Sequence, residues 1–158
     1  MSEERIDHPP HYTSHPSGVE CVEIAEHMSF NLGNALKYVW RMGLKGEGTR
    51  LEDVKKALWY VEREAKVCDA GLDHHIIQPG AGGDIAWDLA KKVVLAAPVT
   101  LSGIFLQILL DPDSEDLREM NAILKLSIAC LESSTGQDAQ ARLAELLEQG
   151  LNARNRRT

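Results

Sequence analysis

The sequence predicts an all-α fold, a helical bundle, on three observations. Apolar residues recur at helical spacing from Val19 through most of the chain. No stretch alternates apolar and polar residues as a half-buried strand does. Glycine, proline and short polar clusters divide the periodic segments at points where helices start and stop.

Taken in order, residues 1–17 read as an extended arm, because Pro9, Pro10 and Pro16 disfavour helix. A first helix is expected from Val19 to about Met28. Ser29-Phe30-Asn31 then punctuates, with Asn31 as a candidate cap for a helix from about Leu32 to Met42. Gly43, Gly46 and Gly48 make a loop. Thr49, with Glu52 three residues later, has the form of a capping box opening a long helix to about Cys68. Residues 71–83, rich in glycine, read as a linker between an N-terminal module (1–70) and a C-terminal helical region (84–158). Helices are expected there near 84–97, 99–110, 114–133 and 137–153, separated by Pro98, Pro112 and the run from Ser133 to Gly136. Segments such as AWDLAKKVVLAA and LREMNAILKLSIACLE suit a core or a subunit interface, so a homo-oligomer is expected.

Composition narrows the class of function. The 158 residues carry a formal net charge of −7, and neither half is net basic, which argues against broad binding to duplex nucleic acid. Cys21, Cys68 and Cys130 are odd in number, far apart and form no CxxC pair; reduced thiols are expected, not disulfides or structural zinc. The N-terminus has no apolar leader-like region, and the longest apolar stretch, Val93 to Leu110, is too interrupted for a membrane span. The expectation is a cytoplasmic protein with no membrane partner.

Against this acidic background one stretch is concentrated in cations. At 100° per residue, Asn34, Lys37, Tyr38, Arg41 and Lys45 fall within an arc of about 100°. The next helix carries Asp53, Lys56, Tyr60 and Arg63 at related spacing. If the two helices form a hairpin, both stripes face one cleft. Close cations repel, and an anion between them removes that cost. Arginine offers a planar fork for phosphate oxygens, lysine a point charge, and Asn and Tyr neutral hydrogen bonds. The alternative reading is a solvated charged face, with Glu20 and Glu23 as the partners.

The residues His11-Tyr12, VECVEI around Glu20 and Glu23, GNALKYVWR from Gly33 to Arg41, then Gly43, Lys45 and DVKKA…Y from Asp53 to Tyr60, together resemble a bacteriophage family. That family was long filed as a domain of unknown function and includes the small nucleotide kinases of tailed phages. Those kinases phosphorylate deoxynucleoside monophosphates from a nucleoside triphosphate without a P-loop. The resemblance covers about residues 8–65 and leaves 71–158 unassigned. It implies a phage-encoded deoxynucleoside monophosphate kinase acting in the bacterial host cell. ATP or another nucleoside triphosphate is then the donor, and Mg²⁺ a possible companion.

No GxxxxGK[ST] motif occurs, so phosphate must be held by side chains. Phosphoryl transfer requires positioning and positive charge more than covalent help. The resemblance therefore marks Lys37, Arg41, Glu20 and His11 as catalytic candidates, and Tyr12, Asn34, Tyr38, Lys45, Asp53, Lys56 and Tyr60 as substrate or phosphate ligands. No protein metal site is assigned. Trp40 and Trp59 are candidates for stacking on a base or for the core. On this reading Lys37→Ala or Arg41→Ala abolishes turnover and leaves the fold intact. Two other classes stay open. All-α nucleoside triphosphate pyrophosphatases bind Mg²⁺ through ExxE and a later ExxD; Glu20 and Glu23 supply the first half, and no ExxD follows in the next two helices. A non-catalytic protein that binds nucleotide or a host partner is the third class.

Overall fold

The computed structural model describes residues 15–42, 47–70, 81–97, 100–110 and 116–133, with scattered helical positions between 141 and 152. Among these residues the fold is all-α, with no strand. In chain order the helices are α1 (Cys21–Ala25), α2 (Phe30–Arg41), a 3₁₀ turn (Glu47–Thr49), α3 (Arg50–Asp69), α4 (Ala81–Ala96), α5 (Leu101–Leu110) and α6 (Asp116–Ser133).

α1 is shorter than its sequence pattern suggests. Its last turn tightens, with His27 N–H bonding to Ile24 O and Met28 N–H to Ala25 O, so the helix closes before Met28. α2 starts two residues earlier than expected. Ser29, not Asn31, is its N-cap, with the Ser29 hydroxyl accepting from Leu32 N–H at 3.2 Å. Asn31 is left inside the helix and donates at 2.7 Å to the buried Glu64 of α3. Thr49 occupies the position before α3 but makes no side-chain cap hydrogen bond; Glu52 instead bonds Lys56 along the helix. α4 begins at Ala81, inside the segment expected to be linker, whereas residues 71–80 lie outside the described part.

The burial pattern explains the assembly. On α2, Leu32, Ala35, Leu36, Val39 and Trp40 are buried at helical spacing, leaving the Asn34–Lys37–Arg41 side outward. Each fully buried leucine contributes roughly 1.5–3 kcal/mol relative to exposure. α3 turns Val54, Ala57 and Val61 to the same core. α5 is apolar on nearly every side and is buried on nearly every side. α4 contributes Ala86, Ala90 and Val93, and α6 contributes Met120 and Leu124. One apolar cluster therefore joins helices from both sides of residues 71–80, and Leu147 belongs to it.

The pairs Asn31–Glu64, Phe30–Tyr60 and Arg41–Asp53 run in opposite senses along α2 and α3, so the two helices form an antiparallel hairpin. α6 lies antiparallel on another side of α3, held at its rim by Lys55–Glu132 (2.6 Å) and Lys125–Glu62 (3.3 Å). α1 crosses close to α2 at Gly33. A Cβ on Gly33 would lie 2.8 Å from the Ala25 carbonyl oxygen, so only glycine allows this approach. No described helix is long and apolar enough to cross a membrane.

Candidate functional site

The hairpin brings the two sequence stripes together around one ring, Tyr38. Lys37 Nζ lies 4.9 Å from its centroid, Arg41 Cζ 4.6 Å and Lys56 Nζ 5.7 Å. The ring's negative face draws the three cations inward and offsets part of their mutual repulsion. Tyr38 in turn stacks on Tyr60 of α3, with centroids 5.9 Å apart and planes 20° apart. Asn34, one turn before Lys37 and Tyr38, accepts from Lys37 Nζ at 2.8 Å and donates to the Phe30 carbonyl at 2.7 Å. That pairing fixes the direction of the lysine.

Asp53 lies beneath this cluster. It is 2% exposed, and its Oδ1 accepts from both Arg41 Nη2 (2.8 Å) and Nε (3.3 Å). Its Oδ2 is buried with no hydrogen-bond partner among the described residues. Asp53 therefore sets the guanidinium's position, and the carboxylate depends on Arg41 for its own compensation. This geometry bears on the expectation that Arg41→Ala leaves the fold intact: truncation would strand a buried carboxylate, so a loss of stability is predicted alongside any loss of function.

The lysines differ in electrostatic setting. Burial, and then the charge of Arg41, push the Lys37 amine below the usual lysine value. Its hydrogen bond to Glu52 raises Lys56, which is well solvated. Three cations face two carboxylates here, Asp53 and Glu52, so the cluster has a single net positive charge among these five groups. An anion near Lys37 would supply the countercharge that its desolvated amine lacks.

Of the remaining sequence candidates, Glu20 is the N-cap of α1, and Glu23 reaches back to accept its backbone N–H at 2.7 Å. The second carboxylate of the ExxE pair thus serves the start of a helix. Glu20 precedes Cys21, a buried thiol pushed up to about 12 by desolvation and eased downward by the charge of Lys37. His11, Tyr12 and Lys45 lie outside the described residues. Among the described residues no group of three or more His, Cys, Asp or Glu is placed to hold a metal ion.

The two tryptophans separate cleanly. Trp40 is a core residue, 4% exposed, packed against the His15 ring at 4.7 Å. Trp59 is 59% exposed and meets Tyr60 edge to face at 5.0 Å. Phe30, which the sequence reading treated as punctuation, is 76% exposed and also meets Tyr60 edge to face, at 6.2 Å. Its spacing to Asn34, Lys37 and Arg41 (four, seven and eleven residues) was the signal that places it on the same stripe. A separate open depression of about 510 Å³ lies between α6 and Arg142, Glu145 and Gln149, with Leu126 and Cys130 in its lining. It shares no lining residue with the Tyr38 cluster.

Residues 6–62 match a protein family described as a protein of unknown function (DUF3310), a span that contains α1, α2, most of α3 and every candidate residue named above from His11 to Tyr60. No curated protein and no solved structure matched the chain.

Proposed function

We propose that the α2–α3 hairpin binds a nucleotide through its phosphates, and that the protein transfers the terminal phosphoryl group of a nucleoside triphosphate to a deoxynucleoside monophosphate. The observation that carries the binding half of this reading is the convergence of Lys37, Arg41 and Lys56 on the Tyr38 ring. The transfer half rests on the resemblance of the same residues to the phage nucleotide kinases.

In this reading Lys37 and Lys56 hold phosphate oxygens. Arg41, aimed by Asp53, adds its field at a fixed position. An oxygen of the monophosphate attacks the γ-phosphorus, the bond from that phosphorus to the bridging oxygen breaks, and the nucleoside diphosphate leaves with the electron pair. The charge that builds on the transferred oxygens is what the cations offset. Lys37 suits this role because its amine is already partly desolvated and gains most from an anion. A Mg²⁺ carried in by the triphosphate would share that neutralisation. His11, Tyr12, Glu20 and Lys45 belong to the same resemblance and are proposed to complete the site.

The test is an assay of the purified full chain with ATP and each deoxynucleoside monophosphate, with Mg²⁺ or with chelator, followed by chromatographic separation. Deoxynucleoside diphosphate formed in step with ADP supports the proposal. Lys37→Met should then lower turnover by about two orders of magnitude, the scale expected for losing one charge-stabilising donor. Pyrophosphate released from a triphosphate alone, with Glu23→Gln the damaging change, moves the function to pyrophosphohydrolysis. Saturable binding with no product leaves a nucleotide-binding protein.

A further inference from the structure

Among the described residues, Phe30 and Trp59 are the exposed large aromatics on the outer side of the hairpin, and both rest on Tyr60. Tyr60 stacks on Tyr38, which carries the three cations. The face therefore has an apolar aromatic end and a cationic end, joined by a continuous row of rings. On α2 the two ends are read along one line: Phe30, Asn34, Lys37 and Arg41. At about 1.5 Å of rise per residue, Phe30 and Lys37 are roughly 10 Å apart along the axis. That is the reach of a nucleotide from its base to its outer phosphates.

We infer that Phe30 and Trp59 form the seat of the nucleobase, with the sugar passing Asn34 and the phosphates directed to Lys37 and Lys56. This rests on the nucleotide-binding reading above and deepens it by naming the residues that recognise the base. Tyr38 and Trp40 are not the base platform. Tyr38 is covered by cations, and Trp40 is buried against His15. An aromatic seat beside a cationic one fits a ligand with a flat uncharged end and an anionic end, whereas inorganic phosphates and polyphosphates need only the second. A second copy of this chain docking on the exposed rings is the competing occupant.

The test uses the full chain and the variants Phe30→Leu and Trp59→Leu, both at exposed positions where the fold has little to lose. Wild type and variants are titrated by calorimetry with ATP, with each deoxynucleoside monophosphate and with inorganic triphosphate. Sedimentation of each is measured in parallel. Expected is a loss of about tenfold or more in nucleotide affinity, on the scale of removing a base–aromatic stack, with inorganic triphosphate affinity unchanged. Nucleotide affinity unchanged in both variants overturns the base seat and leaves phosphate binding standing. Equal losses for nucleotide and triphosphate also overturn it. A wild-type dimer that Trp59→Leu converts to monomer assigns the face to a second copy and overturns it too. Wild type binding neither nucleotide nor triphosphate removes the nucleotide reading and this inference together.

Discussion

Arg41→Ala is the substitution in which structure and function are hardest to separate, and its cost can be worked from the geometry. Arg41 is 13% exposed and Asp53 2%, with two donor nitrogens on one carboxylate oxygen at 2.8 and 3.3 Å. The second oxygen of Asp53 has no partner among the described residues. Truncating one member of a buried pair costs about 3–5 kcal/mol, mostly from the stranded charge. The lost contact of the guanidinium with Tyr38 adds about 0.5–1 kcal/mol. For a chain of this size each kcal/mol lowers Tm by about 2–4 °C, so a total near 5 kcal/mol predicts a fall of roughly 10–20 °C. Urea and thermal unfolding followed by far-UV circular dichroism measure it. The double variant Arg41→Met/Asp53→Leu removes both charges at similar volume and should recover most of the loss, because an apolar pair of the same shape is often neutral. Arg41→Ala within about 1 kcal/mol of wild type would refute the claim that Asp53 depends on it. No recovery in the double variant would show that other contacts, not the charge, set the cost.

Four further substitutions have outcomes that the same structure predicts. Cys21 is raised from 9.0 to about 12 in the folded protein, so the unfolded chain releases that proton first. The Cys21 contribution to stability is therefore fully present below pH 9.0 and is lost as pH rises towards 12, at up to about 1.4 kcal/mol per pH unit. Cys21→Ala should flatten this alkaline loss in pH-dependent urea melts. Lys37, lowered from 10.5, acts with the opposite sign because the unfolded chain binds the extra proton, so Lys37→Met should steepen the loss. His15 is lowered from 6.5 by burial, and its Nδ1 accepts from Ser17 N–H. Stability should fall as pH drops below 6.5, with a change in Trp40 fluorescence, and His15→Gln should remove both effects. Gly33→Ala places a Cβ 2.8 Å from the Ala25 carbonyl oxygen and should destabilise by about 1–3 kcal/mol, measured by the urea midpoint.

The cationic stripe was legible in the sequence because it lies on one helix, where spacing alone fixes the angle between side chains. Leu32, Leu36, Val39 and Trp40 declare the buried side, and the charged side follows from it. That Lys56 and Tyr60 join Lys37 and Tyr38 was conditional on a hairpin, and the helix-length turn signals between Met42 and Arg50 made that the economical arrangement. What the sequence left hidden depends on register across the hairpin. Arg41–Asp53 and Asn31–Glu64 are side-chain pairs between different helices, and periodicity on either helix alone is silent about them. Asn31 looked like a cap because asparagine favours that role, but Ser29 two residues earlier fills it and frees Asn31 for Glu64. Phe30 was misread for the same reason. It was grouped with Ser29 and Asn31 as punctuation because the helix was expected to begin at Leu32, yet the helix begins at Phe30 and turns it outward with the cations. The role of Gly33 appears only when α1 is in place.

The proposed role of the Tyr38 cluster as a nucleotide phosphate site can be decided in one titration. The most direct measurement is calorimetric titration of ATP into the wild-type full chain and into Lys37→Met/Lys56→Met, with unfolding midpoints recorded for both. Expected are saturable binding to wild type, its loss in the double variant, and closely similar stability, since neither lysine compensates a buried charge. Equal ATP affinity in the two proteins, or no binding to wild type, would contradict it.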